Sequence, residues 1–170
     1  MATNPEAEKD AEDILNVWEV IAGGRRFPVD PARIATELGV DVFEAQLDPS
    51  VSGAIVKKEG SDPTILVNRA DHPNRQRFST AHELGHYVRR QADPFEYEYI
   101  DYRGELASQG ADPEEIFANA FAAALLMPKS DVKRLVKSGA SPVDMAFHFK
   151  VSQDAMTYRL KNLGLLGAGA

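Results

Sequence analysis

A chain of 170 residues with an ordinary 44% hydrophobic content can bury a real core in one domain, with room for a small appended module. It contains no cysteine, which excludes disulfides and thiolate-held metal, so any metal site must be built from His, Asp or Glu. The formal charge of −7 opposes wholesale binding to nucleic acid but is uneven: from Lys129 to Ala170 seven Lys and Arg stand against three Asp, a tail of +4 that leaves −11 for the rest.

Met1 to Asp13 is acidic and polar with no apolar run, which argues against a signal peptide or membrane anchor and makes the cytoplasm the default location. Charged and without aromatic residues, residues 1–13 read as a disordered N-terminus, most clearly over the first ten. A first helix is expected from about Glu12 to Ala22, with Ile14, Leu15, Trp18 and Ile21 as its apolar stripe and Gly23-Gly24 as its stop. Asp30-Pro31 reads as an N-cap followed by proline in the first helical position, opening a second helix that ends at Gly39.

Strand signals follow at Val40 to Ala45, Gly53 to Lys58 and Thr64 to Asn68, the last two joined by a hairpin loop over residues 59–63. Together they predict a small antiparallel three-stranded sheet. A helix from about Asn74 to Arg90 comes next. The segment Asp93 to Asp112 is loop-like, but Phe95, Tyr97, Tyr99 and Tyr102 interleave with Glu96, Glu98 and Asp101, which reads as a short strand or a cover over the core. Helices are then expected from Pro113 to Met127, Ser130 to Lys137, Pro142 to Phe149 and Ser152 to Leu163. The expected organisation is a core of residues 14–128 and a helical module of 129–170 packed on it.

The stretch Arg77-Phe78-Ser79-Thr80-Ala81-His82-Glu83-Leu84-Gly85-His86-Tyr87 carries the chemistry. Positions four apart share a helix face, so the imidazoles of His82 and His86 can meet at one ion. Glu83, rotated by about 100° from His82, falls beside that ion, where a carboxylate can act as general base toward water. This is the ligand pattern of a zinc peptidase. Phe78, Ala81, Leu84, Gly85 and Val88 follow spacings of three and four, so one side of the helix is buried. Gly85 costs that helix about 1 kcal/mol relative to alanine, which implies that another element packs closely against it.

Catalytic zinc needs a third protein ligand. Glu115, in the first turn of the helix beginning at Pro113, shares its face with the small residues Ala118 and Ala122 and with Asn119, which can bind a ligand histidine and fix its tautomer. Glu114 is the competing carboxylate. His72, before Pro73, and His148 are the other metal-capable histidines, and both read as structural. An oxyanion donor is also needed, for which Tyr158, Arg159 and His148 are the candidates.

The histidine stretch, taken together with Glu115-Ile116-Phe117-Ala118-Asn119-Ala120-Phe121-Ala122-Ala123-Ala124-Leu125-Leu126-Met127-Pro128, resembles the ImmA/IrrE family of bacterial metallo-endopeptidases. The lead-in from Pro31 to Asn68 and the ending from Val151 to Leu166 extend the resemblance over about residues 14–166. It implies an α+β fold with a zincin-like core, mostly helical, ending in helices of helix-turn-helix type. It also implies one zinc held by His82, His86 and Glu115, with Glu83 activating water; manganese or iron also suit such a donor set. Family members typically cut DNA-bound repressors to release a mobile element, a prophage or a stress regulon. This chain has room for neither an added repressor domain nor a sensory domain, so its repressor is expected to be a separate protein.

A different reading starts from the two C-terminal helices, which meet near Lys150-Val151-Ser152 and carry the +4 charge. They have the dimensions of a helix-turn-helix, as in a non-catalytic DNA-binding regulator with a structural or vestigial metal. A toxin paired with a repressor-like antitoxin is a third.

Overall fold

The computed structural model describes residues 3–91, 95–103 and 112–167. The helices are α1 (Pro5–Ala22), α2 (Pro31–Glu37), α3 (Pro73–Arg90), α4 (Pro113–Leu126), α5 (Lys129–Lys137), α6 (Pro142–Phe149) and α7 (Gln153–Asn162). The strands are β1 (Asp41–Ala45), β2 (Val51–Lys57), β3 (Thr64–Asn68) and β4 (Tyr97–Tyr102). Helices α1, α2, α4 and α6 open alike. Asn4, Asp30, Asp112 and Ser141 each stand in extended backbone before a proline and accept a backbone N–H of the first turn, a cap that contributes about 1 kcal/mol.

Two expectations are corrected. The N-terminus is not disordered over residues 1–13: α1 begins at Pro5, and Ala7, Ala11, Leu15 and Trp18 form one buried stripe. Two of those four residues are alanines, so the stripe adds little hydrophobicity and the segment looks merely charged. Met1 and Ala2 lie outside the described residues.

The sheet has four strands in the order β1-β3-β2-β4, and it is mixed. The hairpin returns β3 between β1 and β2, antiparallel to β2 but parallel to β1. The fourth strand comes from the aromatic–acidic alternation at 97–102 and pairs antiparallel with β2, with a register shift between Val51 and Gly53. Of the loop expected over Asp93 to Asp112, residues 93, 94 and 104–111 lie outside the described residues.

Helix α3 lies between the sheet and α4. The contact with α4 is close because residue 85 is glycine: a Cβ there would stand 3.1 Å from both Ala118 Cα and Phe121 Cδ1. The apolar core runs from Leu15 and Ile34 through Ile55, Leu84, Phe117 and Phe121 to Met145, Phe149 and Leu160. The C-terminal helices are therefore part of the same packed body.

Polar ties reinforce that packing. The Arg159 guanidinium, 3% exposed, donates to the Met127 carbonyl at 2.9 Å and pairs with the Glu8 carboxylate of α1. Arg25 binds Asp131 of α5 at 2.8 Å. Asn74 and Arg77, at the start of α3, donate to the carbonyls of Val151 and Lys150 in the turn between α6 and α7. No helix among the described residues is long and apolar enough to cross a membrane.

Candidate metal centre

His82 and His86 sit one turn apart on the buried face of α3, each 1% exposed. Their Nε2 atoms point the same way, 3.3 Å apart. Glu115, in the first turn of α4, reaches both: its two carboxylate oxygens lie 3.1 Å from His82 Nε2 and 3.0 Å from His86 Nε2. Zinc with N and O ligands at about 2.0–2.1 Å in a tetrahedron separates neighbouring donors by about 3.3 Å. The two Nε2 atoms stand at that separation and each has a Glu115 oxygen within reach, so the three side chains can supply three donors to one ion.

Around this triangle the side chains are ordered by hydrogen bonds and rings. Asn119, one turn beyond Glu115, places its carbonyl oxygen 2.8 Å from His82 Nδ1. That oxygen only accepts, so Nδ1 carries the proton and the lone pair of the neutral ring lies on Nε2, facing the cluster. Glu114 points elsewhere, toward Arg89 at 3.6 Å.

Glu83 is completely buried, and neither of its carboxylate oxygens has a hydrogen-bond partner among the described residues. Such an orphan needs an explanation, and a water or ion beside the histidines supplies one. Close behind it, Gly53 of β2 would bring a Cβ to 3.5 Å from Glu83 Oε1. Asp101 of β4, 5% exposed, approaches both His82 and Glu83 and is tied to Arg75 at 3.4 Å.

The electrostatics follow from so many ionisable groups sharing one dry place. Burial disfavours a charge on His82, but the hydrogen bond to Glu115 and the charges of Glu83, Asp101 and Glu115 outweigh it and raise its pKa to about 9. Glu83 is pushed up to about 8 by burial, against the pull of His82, with Asp101 and Glu115 adding to the rise. Burial works against the Glu115 carboxylate too, but hydrogen bonds from both histidines overcome it and lower the value to about 2. His86 falls below its ordinary value, chiefly through burial and then the neighbouring His82 charge. An ion-free chain thus keeps one positive charge on His82, where a dication would otherwise sit.

The other residues singled out from sequence are elsewhere. His72 caps α3, its Nδ1 accepting from the Asn74 N–H at 3.0 Å. His148 packs its ring against Phe27 and Phe149. Arg159 is committed to Met127 and Glu8, and Tyr158 is 60% exposed on α7. The three candidate oxyanion donors are thus engaged with the C-terminal packing or with solvent, and none of their hydrogen-bond or ring partners belongs to the histidine cluster. Two neighbours of the cluster, Tyr99 and Asp101, do not stand out in the sequence, where the strand carrying them reads only as cover. The ring of Tyr99 stacks on His86 with centroids 4.1 Å apart. The signal was their spacing of two along β4, which turns both toward α3.

The family model of the IrrE N-terminal-like domain, a peptidase family, matches residues 35–161. The chain belongs to this family. Within the IrrE-like family, it is 34% identical over 101 residues to the radiation response metalloprotease IrrE of Deinococcus radiodurans, a match covering 56% of this chain and 30% of that protein. Among solved structures, a Mycobacterium tuberculosis transcriptional regulator shares the fold at a TM-score of 0.62 with 17% identity, over 94% of this chain and 48% of the other. The chain thus spans about a third of one relative and about half of the other. IrrE-type membership and the His82, His86 and Glu115 group together support a metal-binding peptidase core.

Proposed function

We propose that this chain is a zinc-dependent endopeptidase whose substrate is a separate repressor-type transcription regulator, cut once to derepress the genes it controls. The observation that carries the reading is the buried Glu83 carboxylate, without a partner among the described residues, beside two histidines and a glutamate whose donor atoms converge.

His82, His86 and Glu115 would hold the ion. Bound there, zinc supplies Lewis acidity, polarising a carbonyl and bringing the pKa of a water to roughly 7. The remaining work belongs to the chain. Asn119 holds His82 in the tautomer with a free Nε2. Glu83 accepts a proton from the attacking water as oxygen bonds to the scissile carbonyl carbon, then delivers it to the departing amide nitrogen. The products are a carboxylate and an amine, and Glu83 returns to its starting state. In the ion-free chain burial favours the neutral Glu83 carboxyl; a dication held by His82, His86 and Glu115 would favour the carboxylate that accepts the proton. Strand β4, which among the described residues pairs with β2 alone, would offer main-chain groups to an extended substrate.

The test is a comparison of new protein N-termini in cells expressing either the natural chain or Glu83→Gln. A single new terminus inside a helix-turn-helix repressor, present only with the natural chain, supports the proposal. Identical termini in both refute it.

One observation favours a second reading. Helix α7, following α6 after a three-residue turn, turns Gln153, Thr157, Tyr158 and Lys161 outward, the kind of face that a groove-reading helix presents. A DNA-binding regulator would then show binding to random duplex that weakens steeply with salt, whereas docking of a protein substrate on this face would not.

A further inference from the structure

The two histidines of the centre are held by different means. His82 has the usual arrangement, its Nδ1 hydrogen-bonded to a side-chain carbonyl that fixes the ring. His86 does not: its Nδ1 is buried and has no hydrogen-bond partner among the described residues. Without that bond the imidazole is tethered only on its Nε2 side, and rotation about Cβ–Cγ would swing Nε2 away from Glu115.

What stands against the ring is Tyr99. The two rings are parallel within 6°, with centroids 4.1 Å apart, while His82 meets the same imidazole edge-on at 4.9 Å. Tyr99 is itself immobilised. Its backbone is paired with Ile55 in the sheet, and its hydroxyl accepts a hydrogen bond of 2.8 Å from Arg90 Nε. Arg90 lies one turn beyond His86 on α3, so helix and strand hold the tyrosine from both ends. A slab fixed in this way forbids rotation of the imidazole, because turning would drive its edge into the phenol ring.

We propose that Tyr99 is a positioning residue of the metal centre, whose ring face orients His86 in place of the missing hydrogen bond at Nδ1. The proposal rests on the reading of His82, His86 and Glu115 as metal ligands. It assigns to β4 a function in building the site besides any contact with substrate.

The experiment uses the full chain reconstituted with zinc and, separately, with cobalt(II). The variants are Tyr99→Phe, which keeps the ring, Tyr99→Leu, which keeps apolar bulk without a flat face, and His86→Ala. Zinc affinity is measured by competition with a chromophoric chelator, and the visible absorption of cobalt(II) reports ligand geometry. Thermal unfolding without metal registers any general loss of fold.

Tyr99→Phe is expected to bind zinc within about threefold of the natural chain, with an unchanged cobalt spectrum. Tyr99→Leu should bind roughly 10- to 100-fold more weakly, with altered cobalt bands. Two results would overturn the proposal: Tyr99→Leu matching the natural chain in affinity and spectrum, or Tyr99→Phe failing as badly as Tyr99→Leu. If His86→Ala retains full affinity, the ligand assignment itself fails, an outcome distinct from either.

Discussion

Replacing Gly85 by alanine separates the packing account from simple helix propensity, because the two predict opposite signs. Alanine in a helix interior is favoured over glycine by about 1 kcal/mol. Against this, the new methyl would stand 3.1 Å from Ala118 Cα and from Phe121 Cδ1, and 3.3 Å from Phe121 Cβ. Carbon atoms in contact prefer about 3.5–4.0 Å, so α3 and α4 must separate by roughly 0.5 Å at this point. Overpacking of this kind costs about 1–3 kcal/mol, leaving a net loss of up to about 2 kcal/mol. The metal centre should suffer more than the fold, since Glu115 lies on α4 only three residues before Ala118, while metal sites tolerate displacements of about 0.2 Å. Chelator competition for zinc and thermal unfolding of the metal-free protein, read on the same variant, give both quantities. The expected result is a zinc affinity at least about tenfold weaker with a modestly lower melting temperature. A variant that melts higher than the natural chain and binds zinc equally well would refute the close contact between the helices.

Other consequences follow from individual contacts. Asn119→Leu removes the acceptor at His82 Nδ1 and should weaken zinc binding by about 10- to 100-fold, measured by the same competition; unchanged affinity would mean that His82 needs no orienting partner. Glu83→Gln should retain metal and lower peptide turnover by about 10²- to 10⁴-fold, read with a substrate cut by the natural chain. The pH dependence of metal binding has a definite sign. With its pKa raised to about 9, the ion-free His82 holds a proton at neutral pH that must leave when the ring becomes a ligand, whereas Glu115, at about 2, has none to give. Zinc affinity should therefore rise with pH up to about 9, by about tenfold per unit, with release of at least about one proton per ion in calorimetry across buffers. A flat profile between pH 6 and 9 would contradict it. Arg159→Met breaks the pair with Glu8 and abandons the Met127 carbonyl, and should cost about 3 kcal/mol in urea unfolding; a loss under about 1 kcal/mol would show that this tie does little to hold α7 to α1.

The cluster of His82, His86 and Glu115 was legible in the chain because its members obey short-range helical geometry. His82 and His86 are four apart, Glu115 and Asn119 are four apart, and Gly85 announces the close approach that brings Glu115 to the two histidines. The roles of Tyr99 and Asp101 were not legible, since they depend on β4 pairing with β2, a contact between segments some forty residues apart that alternation alone does not specify. The insertion of β3 between β1 and β2 was hidden for the same reason: local pattern marks a strand without naming its neighbours. At the N-terminus the signal was present in Asn4-Pro5, a cap and a first-turn proline, but the alanines at 7 and 11 form an apolar stripe too small to compete with the surrounding charge. Arg159, read as a candidate oxyanion donor, became a buried tie to α1 because its partner Glu8 lies at the far end of the chain.

The account turns on whether His82, His86 and Glu115 hold a metal that Glu83 serves without binding. Elemental mass spectrometry of the purified chain and four variants tests this directly. About one zinc per chain is predicted for the natural protein, for Glu83→Gln and for Glu114→Ala, with loss of zinc in His82→Ala and Glu115→Ala. A chain that takes up no metal after reconstitution, or one that keeps its zinc without Glu115 and loses it without Glu114, would contradict the account.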